Sequence, residues 1–171
     1  NVNYIVVPIF LMLRDGDVWL KSHFGSGFLL NNLFILAVVY AATALPFTIY
    51  LLSGYFATLP HDFEEAAYID GAGFLRTFFQ IMMPCAKGGL TSAAVLCFLN
   101  TWNEFTFSLI LTSSESARTL PLSLSYFTSQ FSFNYTALFA AVTIAVIPSI
   151  IVFAIFQEQV VSSLTAGSVK E

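Results

Sequence analysis

Few side chains in this chain could do chemistry, and they gather in two places. The first is E-E-A-A-Y-I-D-G-A-G, Glu64 to Gly73, which carries carboxylates at Glu64, Glu65 and Asp70 with Asp62 just ahead. The second is N-T-W-N-E, Asn100 to Glu104, inside an otherwise apolar stretch. An ionisable or polar group within a membrane span is a functional candidate by default. The amides of Asn100 and Asn103, the Glu104 carboxylate and the Phe107 ring suit sugar hydroxyls and the apolar face of a pyranose. The same groups suit hydrogen bonds that hold neighbouring helices together. His23 and His61 are isolated in loops with no partner at ligand spacing, so no metal site is expected. Cys85 and Cys97 form no C-x-x-C pair and read as small buried hydrophobes. The chain carries no G-x-x-x-x-G-K-[ST] loop to cradle a nucleotide, and no catalytic residue is expected.

The elements that must position these groups are set by composition. Charged residues make up 9% of the chain and hydrophobic ones 57%, with nineteen phenylalanines among 171 residues. A soluble domain carries about a quarter charged residues and has too much surface to hide this apolar excess. The class is therefore an all-α integral membrane protein. A net charge of −4 without a basic stripe argues against nucleic acid as a partner. Residues 1–13 hold an apolar run about half as long as a bilayer crossing, read as the end of a span truncated at the N-terminus. Three full spans are expected, at 28–57, 89–112 and 137–156. The first is about 45 Å long at helical rise, more than the ~30 Å hydrocarbon core, so it must tilt, kink or project. Pro46 near its middle is a hinge candidate, or a proline merely tolerated in a span.

The polar connection 14–27 is expected as a loop on one face. The segment 113–136 is a second loop on that face. Within it Leu120, Leu124, Phe127 and Phe131 recur at helical spacing, as in a short surface helix. Lysine and arginine do not orient the bundle. Arg76, Lys87 and Lys170 fall on one side and Arg14, Lys21 and Arg118 on the other.

Between the first two spans lies 60–84. Pro60 can occupy a first helical turn, and Asp62, Glu64 and Glu65 then sit where the helix dipole favours negative charge. Ala66 and Ala67 are strong helix formers of little bulk, and Gly71 is placed for a left-handed cap. A second helical segment, Phe74 to Met82, is expected to stop at Pro84. This is either an amphipathic connector lying on the lipid headgroups or a docking knob whose small alanines let a partner's backbone approach.

A resemblance chooses between these. E-A-A-Y-I-D-G from Glu65 to Gly71, nine residues, then I-M-M-P from Ile81 to Pro84, resembles the EAA signature of permease subunits of binding-protein-dependent ABC importers. That pattern is E-A-A, three residues, G, nine residues, I-x-L-P, with Met83 here in place of leucine. L-P-F at Leu45–Phe47, W-N-E-F at Trp102–Phe105 and L-T-A-G-S-V-K at Leu164–Lys170 are similar to the maltose-type carbohydrate branch. The family's usual glycine before L-T-A-G is Ser163 here, and the chain ends in Glu171.

The resemblance implies a transmembrane helix bundle of the type I ABC importer permease kind, a single permease domain over 1–171. It implies a cytoplasmic coupling helix built on Glu65, Ala66, Ala67 and Gly71, with Asp70 as an addition. It also implies two ATPase subunits that bind the ATP and Mg, a second homologous permease and an extracytoplasmic solute-binding protein. This chain would bind no cofactor and catalyse no covalent chemistry. It would lie in a bacterial or archaeal cytoplasmic membrane as a multi-pass protein, with its C-terminus cytoplasmic and 113–136 outside. The expected cargo is a carbohydrate, moved by alternating access. The alternatives are a polyol or glycerol-phosphate-like solute, or a non-ABC channel or structural subunit.

Overall fold

The computed structural model describes residues 3–128 and 135–166, with side chains for 4–127 and 135–161. Phe131, Lys170 and Glu171, and the side chains of Ser163 and Leu164, lie outside the described residues. The helices, in order, are α1 (Asn3–Phe24), α2 (Leu33–Phe56), α3 (Asp62–Ile69), α4 (Phe74–Thr77) and, after a π turn at Phe78–Met82, α5 (Met83–Cys85). There follow α6 (Lys87–Trp102), α7 (Thr106–Leu111), α8 (Leu120–Ser125) and α9 (Tyr135–Ala166). The described residues contain no strand. α2 and Tyr135–Val161 are each long and apolar enough to cross a bilayer. Phe74–Cys85 and Lys87–Trp102, bent by 74° at Ala86, make a third crossing if read as one broken span.

The chain divides into two compact units, residues 1–44 with 100–149 and residues 45–99 with 150–171. In the first unit, Val6 of α1, Leu36 and Val39 of α2, and Phe107 and Leu111 of α7 form the core. Asn31 fastens it. Its φ of 61° is a left-handed conformation that asparagine tolerates better than most residues. There its N–H donates to the carbonyl of Leu111 at 2.9 Å, while its Oδ1 accepts from the amides of Ser113 and Ser114 at 2.9 and 2.7 Å. One residue thereby satisfies backbone groups at and beyond the C-terminus of α7 that helix geometry leaves without partners.

α1 corrects the expected loop at 14–27, since helix continues through Phe24. The charges that suggested a loop are accommodated along the helix. Asp17 is buried, receives the Lys21 ammonium at 2.7 Å one turn later, and accepts from the Leu29 amide at 2.9 Å. The returning chain passes so close that a Cβ on Gly27 would lie 2.4 Å from Asp17 Oδ1. The hydrogen bond from Lys21, then that from the Leu29 amide, holds the Asp17 carboxyl below the usual carboxylate range, against an opposing effect of burial.

In the second unit, small residues bring helices together, as expected where lipid removes the hydrophobic drive for helix association. The Tyr55 ring lies on Gly88 and Gly89, where a Cβ on Gly89 would stand 2.4 Å from ring carbon Cγ. The buried Ser92 hydroxyl donates to the Gln159 carbonyl at 2.7 Å, tying α6 to α9. The expected span 89–112 is helical over Lys87–Trp102, broken at Asn103–Phe105, and helical again as α7. The helix expected to stop at Pro84 instead carries through a π turn to Cys85. Cys85 is exposed and Cys97 half-buried, so neither is the buried hydrophobe expected. α9 runs well past the expected end at Phe156, to Ala166.

The Asp17 cluster predicts a specific acid response. A depressed carboxylate stabilises the fold above its unfolded-state pKa and loses that contribution as pH falls through the folded value. Asp17→Ala should lower the thermal midpoint of the detergent-purified protein at pH 7, and the deficit should shrink as pH drops below about 4. A deficit unchanged with pH would mean the Lys21 pair contributes nothing.

Candidate functional site

The acidic stretch folds as α3. Pro60 lies ahead of the helix rather than in its first turn, which holds Asp62, Glu64 and Glu65. The amides of Glu64 and Glu65 donate to the His61 carbonyl at 2.9 and 3.1 Å. Gly71 has φ of +73°. Its N–H donates to the Tyr68 carbonyl at 3.0 Å, and the Ala72 N–H reaches back to Ala67 at 2.9 Å. These paired bonds are a Schellman cap, which closes the last turn with a residue that has no Cβ to clash. Nothing within 4 Å would meet a side chain there, so the requirement at Gly71 is conformational rather than one of space.

The two alanines part company. Ala67 is buried at 3% exposure against its own chain, while Glu65, Ala66, Asp70 and Gly71 are exposed. The expected flat alanine face is therefore half internal: Ala67 seats the helix and Ala66 is presented. Around it Tyr68, Ile69, Phe74 and Leu75 are also exposed, an apolar rim beside the carboxylates.

Behind this rim sits an aromatic cluster centred on Phe78. Phe78 opens the π turn and stacks on Phe74 at 6.3 Å and on Phe56 of α2 at 6.2 Å, with Phe79 edge-on at 5.1 Å. Three of its rings lie in F-L-R-T-F-F, Phe74 to Phe79, and the fourth, Phe56, comes from α2.

The second candidate cluster is reorganised by the break after Trp102. The unbroken span expected over 89–112 would put Asn100, Asn103, Phe107 and Leu111 on one helical stripe. With Asn103–Phe105 non-helical, Asn100 and Asn103 are exposed while Phe107 and Leu111 turn into the core. Glu104 explains the break. Its Oε1 accepts from the Phe107 amide at 2.8 Å, and its Oε2 accepts from the Tyr40 hydroxyl at 2.7 Å and the Ser108 amide at 3.3 Å. A carboxylate at a helix start satisfies orphaned N–H groups and complements the dipole. Trp102 packs as well, its indole N–H donating to the Ala145 carbonyl at 3.0 Å. Pro46 lies within α2 beside the division of the chain at Ala44 and Leu45, preceded by Thr43, whose hydroxyl bonds the Val39 and Tyr40 carbonyls at 3.0 and 3.1 Å.

Among the described residues no three His, Cys, Asp or Glu side chains are grouped to hold a metal ion. In the 113–136 segment α8 falls where a short helix was expected. There the Arg118 guanidinium lies 4.0 Å from the Tyr126 ring centroid, and its Nη1 is 3.9 Å from Glu115 Oε1.

The chain is similar to known proteins over most of its length. The family model described as "Binding-protein-dependent transport system inner membrane component" matches residues 3–165. The diacetylchitobiose uptake system permease protein NgcG of Streptomyces coelicolor is 37% identical over 95% of this chain and 51% of its own length. The sulfoquinovosyl glycerol transport system permease protein SmoH of Agrobacterium fabrum is 36% identical over 97% of the chain and 54% of its own. The trehalose/maltose transport system permease protein MalG of Thermococcus litoralis is 39% identical over 77% of the chain and 48% of its own. The chain spans about half the length of the curated relatives it matches.

The Glu104 cap gives a direct stability test. Glu104→Ala strands the Phe107 amide and the Tyr40 hydroxyl and should cost about 1–3 kcal/mol, read as a lower thermal midpoint in detergent. Glu104→Gln keeps an accepting oxygen and should stay much closer to the unaltered protein. Equal midpoints for all three would remove the capping role.

Proposed function

Because the chain belongs to the family of binding-protein-dependent transport system inner membrane components, we propose that it is the membrane-spanning permease part of an ATP-driven carbohydrate importer. It works as a permease rather than as an enzyme. α3 is the coupling helix, and two partner ATPase subunits bind ATP and Mg and hydrolyse it. Glu65, Ala66, Asp70 and Gly71 meet the ATPase, with Ala67 holding the helix to its own chain from behind. A second homologous permease completes the pathway, and an extracytoplasmic solute-binding protein delivers the solute on the side of 113–136. The C-terminus is then cytoplasmic, in a bacterial or archaeal cytoplasmic membrane.

The observation that carries this reading is the exposed, acid-started α3, closed by a left-handed Gly71 and rimmed by Tyr68, Ile69 and Phe74. A helix meant to lie on lipid would turn its apolar side chains to one face and bury them in the headgroup region. Here an exposed small residue, Ala66, stands between carboxylates and aromatic rings, which suits a protein cleft that grips a short helix.

Alternating access needs spans that can bend, and Pro46 is the hinge candidate in α2, where its missing N–H leaves one helical bond unmade. Asn100 and Asn103 line the solute path, and Glu104 supports them by holding the break in the helix open. Carbohydrate is the favoured cargo because relatives are named for diacetylchitobiose and for trehalose and maltose. A glycerol-bearing solute is the second reading, favoured by the relative named for sulfoquinovosyl glycerol. The family membership leaves the channel or structural-subunit alternative without support.

In the full-length protein, Ala66→Trp and Gly71→Val should abolish co-purification of the ATPase and uptake of the solute, with membrane insertion unchanged. Retention of both by either variant would sink the coupling role of α3. Asn100→Ala and Asn103→Ala should instead reduce uptake with the complex intact, and a loss of assembly there would reassign them to packing.

A further inference from the structure

The coupling segment has to deliver its displacement to the membrane helices, and a bare loop would absorb it. The connection from Ile69 into α6 is no bare loop. α3 packs on the π turn at Phe78–Met82, with Ala67 and Met82 both buried. From that turn the Phe78 ring stacks on Phe56, in the last turn of α2, at 6.2 Å and 25° between planes. The neighbouring Tyr55 sits on Gly88 and Gly89 in the first turn of α6, without room for a Cβ beneath it. Ala86, at the 74° bend, is fully buried. π turns of this kind occur mostly as single insertions in helices and frequently at functional sites. At the start of this one the ring of Phe78 stacks on Phe56 while Phe79 stays 59% exposed.

We propose that Phe78 and Phe56 form a transmission joint, with Tyr55 on Gly89 as its second seat, through which movement of α3 is passed to the end of α2 and the start of α6. The proposal rests on the coupling reading of α3 given above. Stacked rings suit this task because a packed contact between large side chains is stiff: interiors transmit strain rather than yield to it. Two seats on adjacent residues, Tyr55 and Phe56, fix the last turn of α2 in rotation as well as in position. Phe78 and Phe56 are positioning residues, touching neither solute nor nucleotide. A path of packed side chains is established by coupling between its members and not by adjacency. The experiment therefore measures coupling.

The test uses the full-length protein assembled with its ATPase and second permease in proteoliposomes, with Cys85 and Cys97 replaced by serine. Ser53, exposed one turn before Phe56, is replaced by cysteine, and its maleimide labelling rate is compared with and without ATP and vanadate. With Phe78 intact the rate should change on nucleotide trapping. Phe78→Ala should reduce that change by about fivefold or more while ATPase co-purification and ATP hydrolysis persist. Phe56→Leu, which keeps bulk but loses the stacked face, should act in the same direction, and the two together should be no worse than either alone. Phe78→Tyr should restore the response.

A nucleotide response that survives Phe78→Ala, or that falls additively in the double variant, would overturn the joint. So would loss of ATPase association in Phe78→Ala, because Phe78 would then be a docking residue. The underlying reading fails separately, through retained ATPase association in Gly71→Val.

Discussion

A chain this apolar has few places to send the backbone groups of an interrupted helix. In hydrocarbon each unsatisfied N–H or C=O costs several kcal/mol, so a helix can break only where side chains take over its lost partners. That constraint explains where this protein departs from straight spans. The break at Asn103–Phe105 exists because Glu104 turns back on the amides of Phe107 and Ser108 and is held from the side by Tyr40. The far end of α7 is closed by Asn31, which reaches the same short helix from a distant part of the sequence. α7 is thus a short helix closed at its start by the Glu104 carboxylate and at its end by the Asn31 backbone N–H, while the Asn31 side chain holds the two serines beyond it. Two polar side chains of that unit, those of Glu104 and Asn31, thus serve to make irregular backbone tolerable.

The second unit meets the same constraint differently. Its helices need no caps where they pack, and they approach through small residues. Glycines at 88 and 89 admit the Tyr55 ring, and Ser92 reaches the α9 backbone from a helix that would otherwise offer only alanine and valine there. Close approach of backbones gains dispersion contacts, the main attraction available where lipid competes equally for apolar surface. α3 ends in a Schellman cap made wholly of backbone bonds, so its side chains stay free for other uses.

What the sequence made legible follows from the range of the forces involved. α3 is written in local chemistry, with acids in the first turn, alanines in the middle and a glycine where φ turns positive. The long apolar helices α2 and α9 are legible from composition, though α9 extends beyond its apolar run because helix continues into water at no great cost. The extension of α1 past Arg14 was hidden because Asp17 finds its cation at Lys21 in the next turn and its amide at Leu29, across a turn that spacing does not reveal. The break at Glu104 was hidden more deeply. Its hydroxyl partner, Tyr40, is 64 residues away, and only the folded chain brings the two together.

The alanine pair shows how a short motif can serve two surfaces at once. Successive residues on a helix point about 100° apart, so two neighbouring positions cannot both face one partner squarely. Ala67 takes the inward direction and is buried, and Ala66 takes the outward one. Each needs a small side chain for a different reason. At 67 bulk would lift α3 from the π turn that carries Phe78, and at 66 it would hold off whatever approaches from outside. Burial at 67 and exposure at 66 are thus one demand for small bulk, met in two directions of a single helical turn.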